Sequence, residues 1–261
     1  MVIWRTALLA LLVSTAIPSF AANDCYDLSD VLGQWEGVRA EAVQAEPTYK
    51  KNMTGNTQKT MEKILKRWIK AGAPPGAIDE AGALRQAVTA CYSRSLKMLL
   101  DHGVSPNTPL PGDSPLRMVS ASLFCDERAA ATVAKQLIDR GAIVNDRDAL
   151  GQTALMRAAL AGRGSIVNLL LDHGAALETA DCARRTALHW AAAAGEPNAV
   201  KALLKRGANR SAKDIHGATP AQLTARFVQR PLPTNARYEQ YQKAFNLLQS
   251  TATPPSAKKT R

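Results

Sequence analysis

The chain has 261 residues, 46% apolar and 21% charged, with a formal net charge of +11 at pH 7. That composition excludes an intrinsically disordered chain, and four cysteines, 16 glycines and 14 prolines are too few for a disulfide-dense miniprotein or a collagenous one. The length fits one or two domains, and the basic balance leaves nucleic acid, an anionic membrane surface or an acidic protein as partner classes.

Residues 1–21 have the anatomy of a secretory signal. Arg5 gives the positive start, residues 6–17 form an apolar run through Leu8, Leu9, Leu11, Leu12 and Val13, and Pro18 breaks it before the small residues Ser19 and Ala21. Cleavage near Ala21 is expected. The run is shorter than the roughly 20 apolar residues a membrane span needs, so an uncleaved anchor is the weaker alternative. The predicted product is exported, in the periplasm, which makes nucleic acid the weakest of the three partner classes.

After the signal, a single domain over residues 22–249 is predicted. Its first part, 22–73, is a helical cap: Leu28, Val31, Leu32, Trp35 and Val38 follow a helical period over 26–45, and a second helix runs through Trp68. Within its residues 50–70, Lys50, Lys51, Lys59, Lys63, Lys66, Arg67 and Lys70 cluster against Glu62 alone. Such a run is either a solvated helix face or a contact for anionic lipid or cell-wall polymer.

From residue 141 onward the chain repeats with a period of 33. Asp148, Asp181 and Asp214 keep that step, as do Thr153, Thr186 and Thr219, and Gly141, Gly174 and Gly207; Gly162 and Gly195 join them. In register the units read GQTALMRAALAGRGSIVNLLLDHGA (151–175) and RRTALHWAAAAGEPNAVKALLKRGA (184–208), and a third opens GATPAQLTARF at Gly217. Each threonine can cap a helix start, and Pro220 suits a first helical turn. The pairs Ala158, Ala159 and Ala191, Ala192 let helices approach closely, Leu170, Leu171, Leu203 and Leu204 form the buried stripe, and Gly174 and Gly207 end the second helices. A unit of this size cannot bury its apolar face alone, whereas stacked neighbours can.

These units resemble the ankyrin-repeat family, specifically so over residues 141–227 and more weakly upstream. Gly112, Asp113, Ser114, Pro115 and Leu116 open an earlier unit that ends at Gly141 and carries about six extra residues around 123–129. Before it, Ala83 and Leu84 pair with Leu99, Leu100 and Gly103, and Trp68 to Gly72 matches only the end of a unit. The resemblance implies an all-α solenoid of stacked helix pairs with short hairpin loops, repeats over 82–216, a C-terminal capping repeat over 217–249 and helical caps at both ends. Residues 250–261 are expected to form a disordered basic tail.

No serine or cysteine lies in a local nucleophile motif, no glycine loop cradles phosphate, and no histidine pair has ligand spacing, so neither catalysis, a cofactor nor a metal is expected. The resemblance gives His189 a structural role, hydrogen bonding between neighbouring loops. Cys91 and Cys125 fall at matching ends of first helices in adjacent units, and the extra residues after Leu123 can close the gap between them, favouring a Cys91–Cys125 disulfide. Cys25 bridging one of the two is the rival; Cys182, at a hairpin tip, is expected free or buried against a neighbour.

In the resembled family, partners are read by hairpin tips and exposed first-helix positions. Carried onto this chain, that nominates Leu150, Gln152 and Arg157 in one unit, Ala183, Arg185 and Trp190 in the next, and Ile215, His216 and Ala218 in the last. Trp190, Arg157 and Arg185 are the expected hot spots, since Trp and Arg dominate binding energetics. The expected function is therefore non-catalytic protein binding by a chain that is a monomer when unbound, with an acidic protein as partner. An immunity or inhibitor protein that neutralises a delivered toxin such as a lipase is the leading version. A periplasmic accessory to a resident enzyme, for example in oxidant defence, is the alternative.

Overall fold

The computed structural model describes residues 56–72, 80–110, 113–228 and 235–250. The secretory signal expected at 1–21, the helix expected at 26–45, Cys25 and the tail expected at 250–261 lie outside the described residues, except for Ser250. Among those described, eleven helices follow one another: α1 (Asn56–Lys70), α2 (Glu80–Thr89), α3 (Ser93–Asp101), α4 (Pro115–Ala121), α5 (Glu127–Asp139), α6 (Ala154–Leu160), α7 (Gly164–Asp172), α8 (Ala187–Ala193), α9 (Pro197–Lys205), α10 (Pro220–Val228) and α11 (Asn235–Gln249). None of the described helices is long and apolar enough to cross a membrane.

The helices form two rows. First helices pack on first helices (α2, α4, α6, α8, α10) and second helices on second helices (α3, α5, α7, α9, α11), while each first helix also packs on the second helix of its own pair. Helix α1 packs on α3 and so extends the second row by one, as the unit-ending residues around Gly72 lead one to expect. The fold is thus an all-α solenoid.

Local chemistry sets the helix ends. Thr153 is extended (φ −110°, ψ 166°) and its side chain accepts from the Met156 amide, and Asp126 does the same for Ala129. Pro115, Pro197 and Pro220 open their helices, where the missing N–H is no loss. The second helices of two units end at Gly174 (φ 82°) and Gly207 (φ 86°), in the left-handed region that a Cβ disfavours. Short alanine-rich first helices then bury completely: Ala158, Ala159, Ala191, Ala192 and Ala193 have no exposed surface, and the second helices contribute Ile166, Val167, Leu170, Val200 and Leu203. Burial of each large aliphatic side chain is worth about 1.5–3 kcal/mol, which only stacked neighbours can supply to so small a unit.

Two further ties cross between units. The Asn107 side chain donates to the Gly141 carbonyl (2.9 Å) and accepts from the Ile143 amide (2.9 Å), and Asn145 repeats this one unit later on Gly174 and Ala176. The inserted loop between α4 and α5 is held by Arg163, whose guanidinium donates to the carbonyls of Ser122 and Cys125, and by a Cys91–Cys125 disulfide with Cα atoms 6.1 Å apart. Cys182 stands outside this disulfide and is exposed at its hairpin tip rather than buried against a neighbour.

Candidate docking surface

Each hairpin is organised by one inward-turned aspartate. Asp148 Oδ1 accepts from the amides of Leu150 (3.0 Å) and Gln152 (2.8 Å); Asp181 Oδ1 accepts from Ala183 (2.9 Å) and Arg185 (2.8 Å); Asp214 Oδ1 accepts from His216 (2.9 Å) and Ala218 (2.8 Å). A 33-residue period in a short acceptor side chain therefore produces three identical turns. Adjacent hairpins are joined through the backbone, with the Cys182 amide donating to Leu150 and the Ile215 amide donating to Ala183 (both 2.9 Å).

The other carboxylate oxygen of Asp148 and of Asp181 faces the first helices, and there the nominated hot spots are found. Asp181 Oδ2 accepts from Arg185 Nε (2.9 Å) and Trp190 Nε1 (3.1 Å), and the Arg185 guanidinium lies 4.4 Å from the Trp190 ring centre. One unit earlier, Arg157 Nη2 is 3.3 Å from Asp148 Oδ2 and 3.6 Å from Asp113 Oδ2. Asp113 in turn accepts from Arg117 Nε (2.6 Å), and Arg117 reaches Asp146. The result is an alternating chain of charge running along the first-helix row.

This arrangement corrects the nominated surface. Trp190 is 1% exposed, Arg185 and Gln152 2%, Arg157 7% and Leu150 8%, and Ala183 and Ala218 are buried too. Charged side chains can be this buried only when paired, and each arginine here has an aspartate in register to pair with. Of the nominated positions only Ile215, 54% exposed, and His216 reach solvent.

With the acids turned inward, the outer edge of the tips is left to cations. In segments 147–150, 180–184 and 213–217 the exposed charged side chains are Arg147, Arg184 and Lys213, beside His216 and the apolar Ile215. Arg147 Nη2 also donates to the Ala180 carbonyl (2.8 Å), which lays it across to the next hairpin. Arg184 holds a left-handed conformation (φ 60°) at the register position that glycine takes in the flanking hairpins, so a charge stands where the turn needs no side chain. These three cations were missed by sequence reasoning that followed helix positions. The signal was available, because Arg147 and Lys213 are two periods apart and both precede the turn aspartate.

His189 is buried against the next hairpin. Its Nε2 donates to the Ala218 carbonyl (3.2 Å) and its Nδ1 accepts from the Thr186 amide (3.1 Å), the loop-bridging role expected for it. Burial holds its pKa below the ordinary value of 6.5, against smaller opposing effects from the Ala218 carbonyl and Asp214. No cluster of His, Cys, Asp or Glu able to hold a metal ion occurs among the described residues.

Residues 118–214 match the family model for ankyrin repeats in three copies. No curated protein matches the chain in sequence. The three matched copies coincide with the helix pairs and aspartate turns described above, and the same pairing continues on both sides of them. Residues 118–214 of this chain are thus ankyrin repeats.

Proposed function

We propose that this chain is an exported, periplasmic, non-catalytic protein that holds an acidic protein partner along its row of hairpin tips, as an immunity protein does for a delivered toxin. Ankyrin repeats are protein–protein interaction modules. The observation that carries the finer reading is the polarity of the hairpins. Asp148, Asp181 and Asp214 turn in to accept amides, while Arg147, Arg184 and Lys213 turn out around Ile215. A rim of unlike charge steers an acidic partner, and a single apolar side chain within it supplies desolvated contact.

The test is a pulldown with the purified chain and with R147E/R184E/K213E. These residues are exposed and the one bond lost is the surface contact of Arg147 with the Ala180 carbonyl, so the unfolding midpoint should move little, and its measurement separates loss of a partner from loss of fold. Capture of a delivered toxin, and protection of cells against it by export of this chain, assigns the immunity role, whereas a resident enzyme assigns the accessory one. Undiminished capture by the triple variant places the partner elsewhere. Fractionation showing the processed chain outside the periplasm overturns the localisation.

A further inference from the structure

We propose that the outer face of α1 docks the protein on a surface of anionic phospholipid. Helix α1 is strongly two-sided. Met61, Leu65 and Trp68 are buried toward α3, with the Trp68 ring 4.2 Å from that of His102 in an edge-on arrangement. On the opposite side Lys59, Lys63, Lys66 and Lys70 are exposed. Their spacing of four, three and four residues puts them in one line along about 16 Å of helix. Arg67 and the 57% exposed Ile64 flank the line on one side, and Glu62, which accepts from the Gln58 amide (3.0 Å), on the other.

Like charges at these spacings repel and weaken a helix, and the fold gains nothing from them. Part of the stack's positive charge is neutralised and part of it, at Arg147, Arg184 and Lys213 among others, is not. Arg117, Arg157, Arg185, Arg140, Arg206 and Lys135 are each paired with an aspartate, whereas none of the four lysines makes an ion pair with a described residue. The composition of the row selects the partner. The buried centres of protein interfaces are depleted in lysine and enriched in arginine and aromatic side chains, and lysine is a point charge on a flexible stem rather than a fork for a carboxylate. Four lysines in line, with one aliphatic side chain beside them, fit a planar field of phosphates into which an apolar group can dip.

The face shares no residue with the hairpin tips, so the two readings stand or fall separately. The test is co-sedimentation of the full chain with vesicles of phosphatidylcholine, and with vesicles of phosphatidylcholine mixed with phosphatidylglycerol. The quantity read is the gain in partitioning that the anionic lipid brings, which is independent of any apolar leader. It should fall about fivefold for each lysine replaced in the series leading to K59Q/K63Q/K66Q/K70Q and collapse at high salt. Far-UV circular dichroism keeps the variants comparable. An equal gain for the quadruple variant overturns the proposal. So does lysine-dependent binding of polyglutamate without any binding to vesicles, which makes the face a contact for acidic protein.

Discussion

The guanidinium of Arg185 lies 4.4 Å from the centre of the Trp190 ring, and both side chains donate to the same oxygen of Asp181. Both are buried, so their first consequence is stability. Trp190→Ala should destabilise the fold by about 3–5 kcal/mol through the cavity it leaves. Arg185→Ala should cost about 3–5 kcal/mol, because Asp181 stays buried without its cation. Urea unfolding followed by circular dichroism checks both. The double variant should lose less than the two single losses together, since the three groups form one unit, while Ile215→Ala should stay within about 0.5 kcal/mol of wild type.

His189 makes the stability depend on pH. Its folded pKa lies below 6.5, chiefly through burial, so the folded chain holds it neutral where the unfolded chain has begun to protonate it. The unfolded state then binds the extra proton, and stability falls with acid. The contribution is complete above about pH 6.5 and is lost as pH drops from there toward the depressed folded value. Unfolding midpoints measured between about pH 7.5 and 5.5 should therefore decline, by at most about 1.4 kcal/mol per pH unit from this group. His189→Gln should lower stability at neutral pH and flatten that slope. An unchanged slope in the variant removes His189 as its source.

Much of the stack is legible in the chain, because one unit's packing needs recur every 33 residues: Thr153 and Thr186 at helix starts, alanine pairs in the first helices, leucine pairs in the second. The Cys91–Cys125 bridge is legible for the same reason, as register places both at matching ends of neighbouring helices. The docking surface is not. Register says that Arg185 and Trp190 share a side of their unit, but whether that side is open depends on Asp181 being close enough to take both donors. The pairing of Arg157 with Asp113 crosses from one unit to the preceding one, and Asp113 stands 35 rather than 33 residues before Asp148, so the period does not encode it. Charge at the tips is a three-dimensional residue of these pairings: what stays outside is whatever the aspartates do not neutralise.

The Cys91–Cys125 disulfide closes a loop of 34 residues in sequence separation. Constraining the unfolded chain over that length stabilises the fold by about 3–4 kcal/mol in the chain-entropy treatment. Dithiothreitol should lower the melting temperature of the wild type by an amount matching C91S/C125S, and should leave that variant unmoved. Cys182→Ser, at an exposed tip, should preserve the reductant sensitivity in full. A reductant effect that survives in C91S/C125S points to a different cross-link.

Gly195 and Gly174 separate backbone strain from packing. Both are left-handed, at φ 62° and 82°. A Cβ at Gly174 meets nothing within 4 Å, so Gly174→Ala should carry only the conformational penalty of about 1–2 kcal/mol. A Cβ at Gly195 would stand 2.6 Å from Tyr241 Cδ1 and 2.8 Å from Cγ. The ring cannot swing away freely, because Tyr241 is buried, its hydroxyl donates to the Ala193 carbonyl (3.1 Å) and the Arg237 guanidinium lies 5.1 Å from the ring centre. Gly195→Ala should therefore add about 1–3 kcal/mol of overpacking to the same backbone term. Since α11 rests on α9 and α10, the damage should appear as early loss of the C-terminal pair. Hydrogen exchange in Gly195→Ala should show α11 opening ahead of α6 and α7, whereas Gly174→Ala should leave α11 protected. Equal destabilisation by the two substitutions would mean that Tyr241 yields, and that the closing helix is held by its apolar face alone.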